Sequence, residues 1–87
     1  MNMITKTQID TMTAEDIVAH VESNEGYSPS VLKRMRRNIS VNGTGARAAH
    51  ALRSELLKAE VSRYRRENDC NIEEAESMVI WGEIRKF

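Results

Sequence analysis

From Thr44 or Gly45 to about Asn68 the sequence reads as one helix, roughly 36 Å long at 1.5 Å per residue. A chain of 87 residues has to build everything else around it. Ala49, Leu52, Leu56 and Ala59 form one apolar stripe along this segment, and Leu57, Val61 and Tyr64 form a second. Two stripes on one helix call for packing on two sides. Ala46, Ala48, Ala49 and Ala51 thin its first turns and let another helix approach closely. With few large apolar side chains elsewhere, one stripe can also meet a second copy, so a homodimer is an open expectation.

Three further helices follow from capping signals. Thr13, with Glu15 and Asp16 behind it, starts one that carries Ile17, Val18 and Val21 and stops at Asn24-Glu25-Gly26. Ser28-Pro29 opens the next. Its Leu32, Met35 and Ile39 fall within about 60° on a helical wheel, with Lys33, Arg34 and Arg37 opposite and Arg36 at the edge. Asn42-Gly43 ends it. Asn71 with Glu74 three residues on has the spacing of a capping box. Ile72, Ala75, Val79, Ile80 and Ile84 spread over a broad arc beyond it, while Met78 and Trp81 point elsewhere.

The expected fold is therefore all-α, a small bundle of about four helices near 14–24, 29–40, 45–67 and 72–84, the third long and central. Residues 1–12 are expected as a flexible N-terminal segment or a short strand around Ile4–Ile9, and 13–87 as a single helical domain. The alternative is α+β with short terminal strands. The β-branched and aromatic content of residues 78–87 suits a strand paired with 3–9. Helix is favoured because Glu73–Glu76 lead into that segment without a break.

Leu, Ile, Val and Phe number 18, and a chain this short buries only about 60–65% of its unfolded surface. The core is thin. Thirteen basic residues nevertheless match thirteen acidic ones, so no global repulsion opposes collapse. Cys70 is the only cysteine; it excludes an internal disulfide and, with two histidines, the usual four-ligand zinc frameworks. Met1–Lys6 lacks the apolar stretch of a secretory signal, and the longest run of large apolar residues, Met78–Trp81, is far short of a membrane span. A cytoplasmic protein without metal, cofactor or membrane association is expected.

Enzyme signatures are absent: no Gly-x-Ser-x-Gly elbow, no phosphate-binding Gly-x-x-x-x-Gly-Lys loop, no His-Glu-x-x-His pair. His20, His50 and Cys70 read as boundary side chains. The turn Asn42-Gly43-Thr44-Gly45-Ala46-Arg47 can present free N–H groups to an anion, or simply connect two helices.

Charge is the more informative pattern. Residues 1–28 carry a net −4, residues 29–66 carry +8 and residues 67–87 carry −4. The cations singled out are Lys33, Arg34, Arg36 and Arg37 on one helix, with Arg63, Arg65 and Arg66 at the end of the long one. Arg47, Lys58 and Arg65 share one line along that helix, within about 20°. Three uses compete: neutralisation by the acidic flanks, contact with a nucleic-acid backbone, or contact with an acidic protein. A sequence pI of about 6.7 disfavours nucleic acid. A helix-turn-helix is disfavoured too, because the Ser40–Gly45 connection and the following helix are both too long.

In size, helical character and missing catalytic groups, the chain resembles the small accessory proteins of phages and plasmids that block or redirect a host machine. No motif carries the likeness, and it transfers no residue roles. It implies a non-enzymatic inhibitor or adaptor that binds another protein through the basic segment or through the exposed aromatics Trp81 and Phe87. The alternative is a small nucleic-acid-binding regulator using Lys33–Arg37 and Arg63–Arg66.

Overall fold

Helix starts in the computed structural model, which describes residues 4–24 and 26–82, coincide with the capping residues of the sequence. Five helices follow one another: α1 (Lys6–Ile9), α2 (Ala14–Ser23), α3 (Pro29–Asn42), α4 (Ala46–Asn68) and α5 (Ile72–Trp81). Thr13 and Asp16 close a reciprocal box, the Asp16 N–H donating to Thr13 Oγ1 at 3.1 Å and the Thr13 N–H to Asp16 Oδ2 at 3.0 Å. These bonds, the backbone one foremost, hold the Asp16 carboxyl below its ordinary value. Asn71 Oδ1 accepts the Glu74 N–H at 2.8 Å to start α5. Ser28 and Gly45 occupy the cap positions of α3 and α4.

The fold is all-α, with the long central helix in place. The strand alternative fails at both ends. Lys6–Ile9 is a helical turn, with the Thr5 N–H held by Gln8 Oε1 at 2.9 Å. Met78–Trp81 is the last turn of α5. That helix stops three residues short of the expected 84, because Gly82 takes φ +75° and turns its N–H back to the Met78 carbonyl at 2.9 Å. Ile84 and Phe87 lie outside the described residues. At the end of α4 a non-glycine residue does the same work: Asp69 adopts φ 47°, ψ 50°, one of the few side chains that tolerate it.

Each stripe of α4 meets a different neighbour. Ala49, Leu52 and Leu56 form the main cluster with Ile9, Ala14, Ile17, Val21 and Met35, flanked by Leu32 and Ile39. Val61 forms a second cluster with Ala75 and Val79 of α5, and Leu57, Tyr64 and Cys70 pack against it. Both stripes thus find neighbours within one chain, the second less completely than the first. At about 35 Å, α4 runs nearly the length of a molecule measuring 40 × 23 × 17 Å. No helix among the described residues is long and apolar enough to cross a membrane.

Ile9 lies outside the four expected helices, yet it is fully buried in the main cluster. Ile9→Ala should lower the unfolding free energy by about 2–5 kcal/mol in urea titration. A segment that contributes nothing to the core would give no change.

Candidate functional site

Two charges lie in the interior. Glu60 and Arg63, three residues apart on α4, are 0% and 2% exposed. Both were placed by helical spacing: the stripe of Leu52 and Leu56, continued by fours and threes, lands on Glu60 and then Arg63. Arg63 is therefore no part of the outward basic surface expected of it. Its Nη2 and Nε bond Glu60, the latter at 3.4 Å, and its Nη1 reaches both oxygens of Glu67 at 3.2 Å. Its guanidinium also lies 5.5 Å from the Tyr27 ring centroid.

Glu60 gathers distant parts of the chain. Tyr27 donates its hydroxyl to Glu60 Oε2 at 2.5 Å, and the Ile4 N–H approaches Oε1 at 3.4 Å. With the Tyr27 proton committed, the hydroxyl oxygen accepts from His20 Nε2 at 2.8 Å. That places the imidazole proton on Nε2 and leaves Nδ1 to accept from Asn24 Nδ2 at 3.4 Å. Asn24 also donates to the His20 carbonyl at 2.6 Å. No buried side-chain polar atom among the described residues is without a partner.

The titration of these groups follows from the geometry. Burial pushes the His20 pKa below its ordinary value; Glu60 opposes that shift and Arg63 adds to it. Burial, then the hydrogen bond to Glu60, raises Tyr27 far above a free phenol. Burial works against the Arg63 charge, but Glu60, Tyr27 and Glu67 together outweigh it and hold Arg63 above its ordinary value. A histidine, a tyrosine and a carboxylate in series resemble a proton relay. Here they bond to one another and to Asn24, Ile4 and Arg63, which ties α2, the following loop and the N-terminal segment to α4.

The surface over this cluster carries the outward cations. A cleft of about 480 Å³ lies between the start of α3 and the middle of α4, walled by Tyr27, Ser28, Val31, Arg34, Glu55, Lys58, Ala59, Ser62 and Arg66. It shares Arg34 and Glu55 with a shallower hollow that also takes in Arg37, Asn38, Val41 and Asn42. At its other end it shares Ser62 and Arg66 with a hollow lined by Arg65, Asp69 and Cys70. The three form one groove along α4 from Glu55 to Asp69, about 21 Å at helical rise. Five cations line it against two acids, Glu55 and Asp69.

Of the nine cations expected at the site, the groove brings together Arg34, Arg37, Lys58, Arg65 and Arg66. Lys33 and Arg36 are exposed on α3 away from it, and Arg47 is exposed in the first turn of α4. Among the described residues the acidic flanks pair with two of these nine cations. From the N-terminal flank Glu22 pairs with Arg36, and from the C-terminal flank Glu67 pairs with Arg63. Within the groove, Arg34 Nε meets Glu55 at 3.3 Å, and Arg66 donates to the Gly26 carbonyl at 2.8 Å. Arg37, Lys58 and Arg65 make no ion pair among the described residues.

Gly43 ends α3 at φ +75° and Gly45 occupies the cap position of α4. Cys70 packs against the α4–α5 cluster. Among the described residues no group of histidine, cysteine and carboxylate side chains is arranged to hold a metal. No family model, curated protein or solved structure matches this chain.

Two expected outcomes follow from the buried cluster. Arg63→Met strands a buried carboxylate and should cost about 3–5 kcal/mol. Glu60→Leu combined with Arg63→Met should recover part of that loss in chemical denaturation, because no charge is then left unpaired. The second outcome concerns pH. The folded chain takes up a proton on His20 less readily than the unfolded chain, whose histidine titrates near 6.5. The His20 contribution to stability is complete above about pH 6.5 and is lost as pH falls below it towards the folded value. Thermal melts between about pH 7 and 5 should show that decline, and His20→Gln should flatten it.

Proposed function

We propose that this chain is a non-enzymatic interaction protein that binds an acidic protein surface along the α3–α4 groove, as an inhibitor or adaptor. The observation that carries the reading is the groove itself. Arg37, Arg34, Lys58, Arg66 and Arg65 line one continuous surface, and three of them have no acidic partner among the described residues. Rigid helices hold the cations in register, which lowers the entropic cost of association. Arginine is enriched at protein interfaces, and segregated charge speeds encounter. His20, Tyr27, Glu60 and Arg63 spend their hydrogen bonds on one another, which supports a binding role over catalysis. The lone thiol of Cys70 suits a reducing, cytoplasmic setting.

Arg37 and Lys58 can both be reversed to glutamate without breaking an ion pair of the fold. The wild-type chain and this double variant should be immobilised and presented to a cell lysate with and without nuclease. The expected result is a nuclease-resistant protein that the wild type retains and the variant loses, with high salt weakening capture. Retention of the same protein by the folded variant would remove the groove as the contact. A nuclease-sensitive polynucleotide, released with a steep salt dependence, would move the reading to nucleic acid.

A further inference from the structure

The cationic cleft has an apolar neighbour that charge alone does not explain. Between α4 and α5 lies a notch of about 260 Å³ whose walls are Leu57, Val61, Ile72 and Ile80, with Glu76 on the α5 rim. Lys58 and Ser62 belong both to this notch and to the cleft, so the two are adjacent. Ile72, Glu76 and Ile80 recur at four-residue spacing along one edge of α5, and Ile72 remains 49% exposed. The fold thus leaves an aliphatic hollow open beside a surplus of positive charge.

Resting on the groove reading above, we infer that the partner segment is an acidic peptide with an aliphatic anchor. The anchor, a leucine or isoleucine, enters the notch, and carboxylates about one helical turn away pair with Lys58 and Arg66. Three features carry this. Aliphatic walls gain most by covering an aliphatic side chain. The notch holds no aromatic ring on which a base could stack, which separates this partner from a nucleic acid. Glu76 repels carboxylates on the α5 side, so the acidic residues of the partner must lie towards α3. Lys58 serves both halves, its methylene stem beside the anchor and its ammonium towards the carboxylates.

The test uses the full chain and labelled synthetic peptides read by fluorescence anisotropy. One peptide carries a leucine with glutamates one turn away; a second replaces the leucine by serine; a third replaces the glutamates by lysines. A single-stranded oligonucleotide of matching charge completes the set. The first peptide should bind roughly tenfold or more tighter than the second, the worth of burying one leucine, and the third should not bind. Ile72→Ser, at an exposed position, should erase the difference between the first two, and Lys58→Glu should weaken both. Equal binding of the first two peptides to the wild type would overturn the anchor while leaving the groove reading intact. Binding of the oligonucleotide alone, or of no probe at all, would overturn both.

Discussion

A carboxylate and a guanidinium held out of water need partners on every side, and Glu60 with Arg63 obtains them from all over the chain. The N-terminal segment supplies the Ile4 N–H, and the loop after α2 supplies Tyr27, which in turn engages His20. Each of these contacts crosses tens of residues of sequence or links two elements. A buried ion pair adds little net stability by itself, since its desolvation cost rivals its attraction. It contributes specificity: an arrangement that separates these partners leaves a charge stranded in the interior. In a chain with so few large apolar side chains, that constraint helps select one packing from several of similar apolar burial.

The same pair shapes the outer surface. By drawing Arg63 inward and committing Glu60 and Glu67 to it, the fold takes two acids away from the neighbouring arginines. Arg65 and Arg66, about 200° and 300° further round the helix from Arg63, are left outside. α3 then brings Arg34 and Arg37 alongside, with Glu55 the nearest acid. Interior satisfaction and exterior charge are therefore linked through one helix. The groove is basic because Glu60 and Glu67 are committed to Arg63, which leaves Glu55 and Asp69 as the acids that line it among the described residues.

α4 serves both neighbours at once. One flank closes on α2 and α3, the other on α5, and the notch beside Ile72 opens where the second closure is incomplete. The small residues Ala48 and Ala49 at its start and Ala75 on α5 are all buried, which lets helices with little apolar bulk approach closely enough to exclude water.

The existence and starts of α2 to α5 were legible in the sequence, because capping is a local matter, whereas the short α1 was not expected. Thr13 and Asn71 accept N–H groups within one turn of themselves, and Ser28 and Gly45 hold the cap positions without a side-chain hydrogen bond. The buried faces of α2, α3 and α4 followed equally from spacing, as with Ile17, Met35 and Leu56. Five of the nine cations assigned to the basic surface do share a groove, since helical spacing orients side chains about an axis. Spacing alone leaves open which neighbour each side of α4 meets, and charge leaves open which ions go inside. Arg63 was assigned to the surface for its charge, whereas its place on the stripe, and the donors that Tyr27 and Ile4 bring to its partner Glu60, put it in the core. Ile9 joined the core for a related reason: a single apolar residue in a short turn has no period, and only the packing of α1 against α4 and α5 defines its place. Local hydrogen bonds and periodicity reside in the sequence; burial of a charge depends on partners assembled from afar, and only the tertiary structure brings them together.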